Sequence, residues 1–244
     1  MPYLIVSDLH ANREALEAVV NDAAGRYDQI LCLGDVVGYG ADPNYVVGWV
    51  RAHANAVIRG NHDRLCVDHQ PLEDYNPAAQ LSTEWTRTAL SSESIEFLKN
   101  LARGPLRTDG FDLVHGSPLD EDEYLISPGD VNLQRAALDA RVTFFGHTHV
   151  QGGFLVARGG VRRILPGWGF DNSLVIEPDH YYLLNPGSVG QPRDMDPRAA
   201  YAIYTPENRT VEFRRVRYHV DRAAGKILEA GLPPVLAARL YEGA

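Results

Sequence analysis

Five short apolar runs of this chain each end in a polar cluster of the residue types that bind metal ions or move protons. They are Ser7-Asp8-Leu9-His10, Gly34-Asp35, Gly60-Asn61-His62-Asp63, His115-Gly116 and Gly146-His147-Thr148-His149. Each alone has an ordinary explanation: Asp8 suits a helix cap, Asp35 among glycines suits a turn, and a lone His115 suits hydrogen-bonded packing. Recurrence at the same place after a strand is harder to explain that way. Together the clusters offer carboxylate, amide and imidazole donors and no thiolate. That set suits manganese, iron, zinc or cobalt rather than a structural zinc site. The donors suffice for two ions and are too many for one ion with open positions. Two-metal sites typically hold their ions about 3.5–4 Å apart and clamp an in-line phosphoryl displacement. Of the nine histidines, His10, His62, His115, His147 and His149 lie in these clusters, while His53, His69, His180 and His219 lie in none.

Positioning such clusters requires strands that end on one side. Tyr3–Val6 reads as a strand; Ala15, Leu16, Val19, Val20 and Ala23 then recur at helical spacing, with Gly25 as a stop. Ile30–Leu33 reads as the next strand, so residues 3–33 form a βαβ unit. Pro43 opens a helix through His53, and Asn55–Ile58 is a strand that delivers the third cluster onto a turn. Residues 77–100 read as helical with a break near Ser91-Ser92, and Leu90, Ile95, Phe97, Leu98 and Leu101 are candidate core. Strands at Phe111–Val114 and Val142–Phe145 bracket a helix at about 129–140. After residue 150 short apolar runs alternate with Gly, Pro, Asn and Asp, the texture of antiparallel sheet. Helices at 219–230 and 233–241 close the chain. Open α/β sheets gather ligands at the carboxyl ends of their strands, so the five clusters converge on one edge.

At 244 residues and 45% apolar, the chain is long enough for one sizeable core and short for two. A formal charge of −9 argues against an extended nucleic-acid surface but not against a small phosphoester, since bound cations reverse the field inside one pocket. Cys32 and Cys66 are too few for a disulfide framework, and Cys32 lies in the apolar run Ile30-Leu-Cys-Leu33. The N-terminus lacks a basic leader and no stretch approaches a membrane span, so the chain reads as soluble and cytoplasmic.

The ordered series D-x-H, G-D, G-N-H-D, H-G, G-H-T-H over residues 8–149 resembles the calcineurin-like metallophosphoesterases. "NPGSVGQPRD", residues 185–194, is similar to a loop of bacterial phosphodiesterase-like members and extends the resemblance to about residue 205. The resemblance implies an α/β fold, a four-layer αββα sandwich of two packed mixed sheets flanked by helices, with 1–244 as a single domain. It implies Asp8, His10 and His149 on a first metal ion, Asp35 bridging both, and Asn61, His115 and His147 completing the second. The implied cofactors are two divalent transition-metal ions, manganese first, with iron, zinc, cobalt or nickel as alternatives. A hydroxide shared between two cations is a nucleophile at neutral pH. His62 is implied to stabilise the transition state or protonate the leaving oxygen, the role of a general acid. Asp63 either orients the turn or is an ordinary cap.

One departure from the family bears on substrate. Related phosphatases and tetraphosphatases extend the second motif as G-D-x-V-x-R-G, whereas this chain reads Gly34-Asp35-Val36-Val37-Gly38-Tyr39-Gly40. Without that arginine a monoester dianion loses a bidentate contact, which favours a phosphodiester. Tyr39 and Arg193 are the candidate substrate-contacting residues. Arg193 either replaces the missing charge or is a surface residue. The expected function is hydrolysis of phosphodiester bonds by in-line attack of a metal-bridging hydroxide. A phosphomonoesterase or nucleoside polyphosphate hydrolase is the alternative enzyme, and a non-catalytic interaction scaffold the alternative of another class. Two segments are less decisive. "PLDEDEYL", residues 118–125, either shapes the cleft rim or is solvated. "LPGWGFDN", residues 165–172, presents Trp168 and Phe170 either to a base or to its own turn.

Overall fold

The computed structural model describes residues 1–108, 110–166 and 172–244. In chain order the elements begin β1 (Tyr3–Val6), α1 (Arg13–Ala23), β2 (Gln29–Cys32), α2 (Pro43–His53), β3 (Ala56–Val57) and α3 (Asn61–Asp68). They continue α4 (Pro77–Ala89), α5 (Ser92–Lys99), β4 (Leu106–Arg107), β5 (Phe111–Leu113), α6 (Pro128–Leu133), β6 (Val142–Phe144), β7 (Gly152–Ala157) and β8 (Gly160–Ile164). The last are β9 (Ser173–Val175), β10 (Tyr181–Asn185), β11 (Ala199–Thr205), β12 (Thr210–Val216), α7 (Val220–Glu229) and α8 (Pro234–Glu242). The described strands form two six-stranded mixed sheets, ordered β3-β2-β1-β11-β12-β9 and β4-β5-β6-β10-β7-β8. None of the described helices is long and apolar enough to cross a membrane.

Strand alternation builds the layers, because successive side chains point to opposite faces. In β1, Leu4 and Val6 pack beneath α1 and α2, while Ile5 joins the core between the sheets. In β2, Ile30 and Cys32 face the helices and Leu31 faces the second sheet. β11 repeats the division with Tyr201 and Ile203 on one side and Ala202 and Tyr204 on the other. Across the interface Tyr182, Leu184, Phe111 and Phe144 fill the space between the sheets, while Leu183 turns outward to Val131 and Leu138 near α6. Helix, sheet, sheet and helix therefore stack as an αββα sandwich.

Several elements depart from the sequence expectation. Asn61–Asp63 is not a free turn but the first turn of α3, because Gly60 is its N-cap and Asp63 accepts a hydrogen bond from Gly60 N at 3.0 Å. The helix expected at about 129–140 stops at Leu133 and gives way to a 3₁₀ turn at Arg135–Ala137, since buried Gln134 turns inward to Glu123. The strands after residue 150 do not form one antiparallel sheet. They divide between both sheets, and β10 runs parallel to β6 while pairing antiparallel with β7. β4 and β8 carry no apolar alternation, being a two-residue strand and an arginine-bearing edge strand, and were invisible to periodicity. The expected aromatic loop with Trp168 and Phe170 lies outside the described residues.

Asp63 also fastens the second cluster. Its Oδ1 accepts from Val36 N at 2.8 Å and Val37 N at 3.2 Å, so one buried carboxylate ties the loop after β2 to the start of α3. Asp63→Ala leaves these three N–H groups without that acceptor and is expected to destabilise the fold by about 3 kcal/mol. The urea midpoint should fall at unchanged slope; a wild-type midpoint would remove Asp63 from this anchoring role.

Candidate metal centre

The five clusters sit at the carboxyl ends of parallel strands from both sheets. Asp8 and His10 follow β1, Asp35 follows β2 and Asn61 and His62 follow β3, and these three strands are mutually parallel in the order β1-β2-β3. His115 follows β5, and His147 and His149 follow β6, which is parallel to β5 in the second sheet. Backbone hydrogen bonds then join the loops. Asp8 N donates to Gly34 O at 3.0 Å and His10 N to Asp35 O at 2.9 Å, while Gly146 N donates to His115 O at 2.7 Å. The sheets are bridged where His147 N donates to Asp8 Oδ1 at 3.1 Å. α1 is capped by Asn12, whose Oδ1 accepts from Ala15 N, so Asp8 is not engaged as its cap.

The turns are tight enough to force unusual backbone. Asp8, His10, Asp35, His147 and His149 have φ of 52°, 44°, 51°, 64° and 58°, in the left-handed region that costs an L-residue energy. Gly60 is required by contact: a Cβ there would fall on the Asp35 amide and carboxylate. A Cβ at Gly146 would likewise meet Ser7 Oγ.

Two groups of donors result, each able to hold a metal ion: Asp8, His10, Asp35 and His149, and Asp35, His115 and His147, all buried. Asp35 belongs to both. His10 Nδ1 lies 3.0 Å from Val37 O and His149 Nδ1 lies 2.6 Å from Gln191 O, so each Nδ1 carries the proton and donates it. Their Nε2 lone pairs then face one another at 3.1 Å with no hydrogen to share. Two acceptors at that distance need a cation between or beside them. His115 is fixed the same way by Leu33 O at 2.8 Å, turning Nε2 toward Asn61 Oδ1 at 3.1 Å and Asp35 Oδ2 at 3.4 Å. His147 is reversed: Nε2 donates to Asp122 O at 3.1 Å, leaving Nδ1 as its free donor atom. Backbone carbonyls that fix imidazole tautomers in this way are the usual support of metal-ligating histidines. Asp8 Oδ2 is buried without a hydrogen-bond partner. The donor set fits divalent metal.

Electrostatics without a cation are unbalanced. Burial, with the Asp35 charge nearby, pushes Asp8 up to about 7 against the pull of His115. Burial would raise Asp35 too, but the positive charge of His115 holds it well below the usual carboxylate range. Burial lowers His10 and His149 strongly and takes His147 down to about 3, so all three are neutral imidazoles. Burial would also lower His115, yet the Asp35 carboxylate overrides it and raises the imidazole to about 10. His115 thus holds a proton where a metal ion would otherwise supply the positive charge.

The structure brings all seven expected metal-ligating residues together, with His62 beside them. His62 N donates to Asp35 Oδ1 at 2.8 Å, and its ring lines a pocket of about 340 Å³ next to the donors. Tyr39 packs against both His10 and His62, its ring centroid 4.6 and 4.5 Å from theirs. Arg193 reaches the same pocket rather than the open surface, with its Cζ 5.6 Å from the Tyr39 ring centroid. The acidic segment 118–125 is solvated only in part: Asp120 and Asp122 are exposed, but buried Glu121 pairs with Arg59 at 2.8 Å and Arg64 at 3.0 Å. That anchor brings Tyr124 onto His147 with centroids 3.9 Å apart. Tyr75, Asn76 and Arg239 line the pocket and were missed, because none lies in a motif, whereas Tyr124 lies in the 118–125 segment for which one reading was the cleft rim. The 185–194 segment did carry a signal, since Ser188 Oγ donates to Asp8 O at 2.8 Å and Gln191 O orients His149. Cys32 and Cys66 are buried free thiols.

Comparison with known proteins agrees with this geometry. Residues 1–209 match the calcineurin-like phosphoesterase superfamily domain. A crystal structure of a metallophosphoesterase from Sphaerobacter thermophilus is 38% identical, covers 100% of this chain and 99% of its own, and superposes with a TM-score of 0.87. An uncharacterized protein of Methanocaldococcus jannaschii is 34% identical over 245 residues, 98% of this chain and 97% of that one. A hypothetical protein of Pyrococcus horikoshii shares the fold at 18% identity, with coverage of 100% and 98% and a TM-score of 0.77.

Because His115 is raised to about 10, it is protonated at pH 8 in the metal-free protein and must lose that proton to become a ligand. Loading manganese into chelator-treated protein at pH 8 is expected to release about one proton from this site per chain. An indicator dye in weak buffer measures it. Metal uptake without proton release would show that His115 is already neutral before the metal arrives.

Proposed function

We propose that this chain, which belongs to the calcineurin-like phosphoesterase superfamily, is a metal-dependent hydrolase of small phosphodiesters. The observation that carries this reading is Asp35, whose carboxylate belongs to both donor groups. In this reading Asp8, His10 and His149 would hold one divalent ion and Asn61, His115 and His147 the other, with Asp35 available to both. Nitrogen and oxygen donors without sulfur suit a divalent transition-metal ion, with manganese placed first by the family resemblance and iron, zinc, cobalt and nickel as alternatives. When bound, such ions supply Lewis-acid stabilisation of phosphoryl charge and lower the pKa of water.

The remaining chemistry falls to the protein's own side chains. His62 has Nδ1 buried without a partner near Gly38, which leaves Nε2 as the atom that handles the leaving oxygen's proton. The hydrogen bond from its backbone to Asp35 fixes the ring relative to the shared carboxylate. Tyr39 is what points to a diester. A monoester dianion would meet its phenol ring where related enzymes offer a guanidinium, whereas a diester has a single charge to offset. Arg193 favours the second reading, a phosphomonoesterase or nucleoside polyphosphate hydrolase, because its guanidinium reaches the pocket with Gln191 Oε1 at 3.3 Å and no carboxylate partner among the described residues. An interaction scaffold would have no need of a complete buried donor set.

The substrate class is tested with aryl esters of one leaving group. After metal reconstitution, kcat/KM for the phosphodiester should exceed that for the monoester; a faster monoester would move the assignment to the second reading, and turnover of neither would favour the scaffold. Asp35→Asn should loosen metal at both positions, and metal analysis still finding two tight ions would refute the sharing.

His62→Ala should retain its metal and lose turnover by roughly 10²–10⁴-fold on a diester with an alkoxide leaving group. With p-nitrophenolate, which leaves without a proton, the loss should be smaller. Equal losses on both would remove proton transfer from His62.

A further inference from the structure

The family match ends at residue 209, yet the chain continues into α7 and α8, and this hairpin packs against the site. Ala223, Ala224, Ile227, Leu236 and Leu240 form one buried cluster with Tyr39 and with Ala79 of α4. Tyr39, Ala223, Ile227 and Leu240 also line a single narrow crevice, so the hairpin lies directly on the residue that stands in place of the family's arginine. An aromatic ring at that position offers the apolar surface on which the hairpin can dock. Leu236 and Leu240, four residues apart, take the inward face of α8, and the intervening Arg239 is left half-buried on the pocket wall.

The charge balance of the pocket then matters. Asp122 is the acidic side chain among the described lining residues, and it is already held by Arg64 at 2.9 and 2.8 Å. Arg193 contacts Gln191 Oε1 and no carboxylate, and Arg239 makes no side-chain hydrogen bond or ion pair among the described residues. Two guanidinium groups without a carboxylate side-chain partner among the described residues, Arg193 on the Tyr39 and Tyr124 phenols and Arg239 beside Ala244, therefore face one pocket of about 340 Å³ in a chain whose formal charge is −9. Low-dielectric walls focus such a field on an anion. Tyr75 and Tyr124 line the same space and offer rings for a flat organic group to stack upon.

We propose that Arg239, with Arg193, forms a second anion subsite that binds a phosphate on the non-reacting part of the substrate. The substrate class is a phosphoester whose ring-bearing organic portion carries a further phosphate. This rests on the phosphoesterase reading above, but it concerns binding by residues outside the metal donors.

The test compares thymidine 3′,5′-bisphosphate with thymidine 5′-monophosphate by calorimetry, in metal-loaded and in chelator-treated protein. The chelated protein reads binding with no turnover. In the metal-loaded form wild type should bind the bisphosphate more tightly by roughly tenfold, the size of one charge-assisted contact, whereas in the chelated form either nucleotide's phosphate can reach the arginines and Arg239→Ala should weaken both. Arg239→Ala should bring the metal-loaded ratio near one, and Arg239→Lys, which keeps the charge without the fork, should restore part of it. A wild-type ratio near one, or a ratio untouched by Arg239→Ala, would overturn the subsite. The expected ratio in a protein that hydrolyses no phosphoester would uphold the subsite and overturn the catalytic reading instead.

Discussion

Asp35 is about 1% exposed, and the structure around it is organised to tolerate a buried anion. An uncompensated charge in that position costs far more than a domain's margin of stability. Compensation arrives from several directions. The His62 backbone N–H bonds its Oδ1, and the protonated His115 imidazole lies 3.4 Å from its Oδ2. Asp8, a second buried carboxylate, holds the His147 backbone across the sheet boundary. Neither sheet alone supplies enough positive or donor groups. The packing of the two sheets and the chemistry of the site are therefore one constraint.

That constraint explains why the loops are stiff. Five donor residues adopt left-handed backbone, and glycines stand where any side chain would strike a donor or its backbone. Such conformations persist only when surrounding structure holds them. Here the holding groups are named: Asp63 gathers the loop after β2, and the 185–194 segment laces Asp8 and His149 through Ser188 and Gln191. Donors fixed in advance need little rearrangement when charge develops beside them. The strain and the function share the same residues.

The walls of the pocket come from different parts of the chain than its floor. Donors lie at strand ends, but Tyr124 is delivered by a loop pinned through Glu121, and the C-terminal hairpin packs over Tyr39. Segments that contact only the outer part of a site can vary without disturbing its centre, which is how one fold serves several substrates. Selectivity in this protein is accordingly sought in α8 and the 118–125 segment rather than in the shared motifs.

Much of this was legible in the sequence, and for local reasons. Strand and helix periods placed β1, α1, β2 and α2 closely, since Pro43 and the spacing of Leu16, Val19 and Ala23 act within a few residues. The ordered clusters named every donor now found together, because ligand chemistry restricts residue type regardless of fold. Tertiary structure decided what depends on distant partners. Asn61–Asp63 became helix because Asp63 satisfies the amides of Gly60, Val36 and Val37, a balance no local window contains. Whether Arg193 faced solvent or the site depended on where the loop after β10 came to rest. Arg239 belonged to no motif at all; it entered the pocket because α7 and α8 dock on Tyr39 more than 180 residues away in sequence. Residue type encodes what a side chain can do, but only the fold brings together groups whose separation in the chain carries no periodic signal.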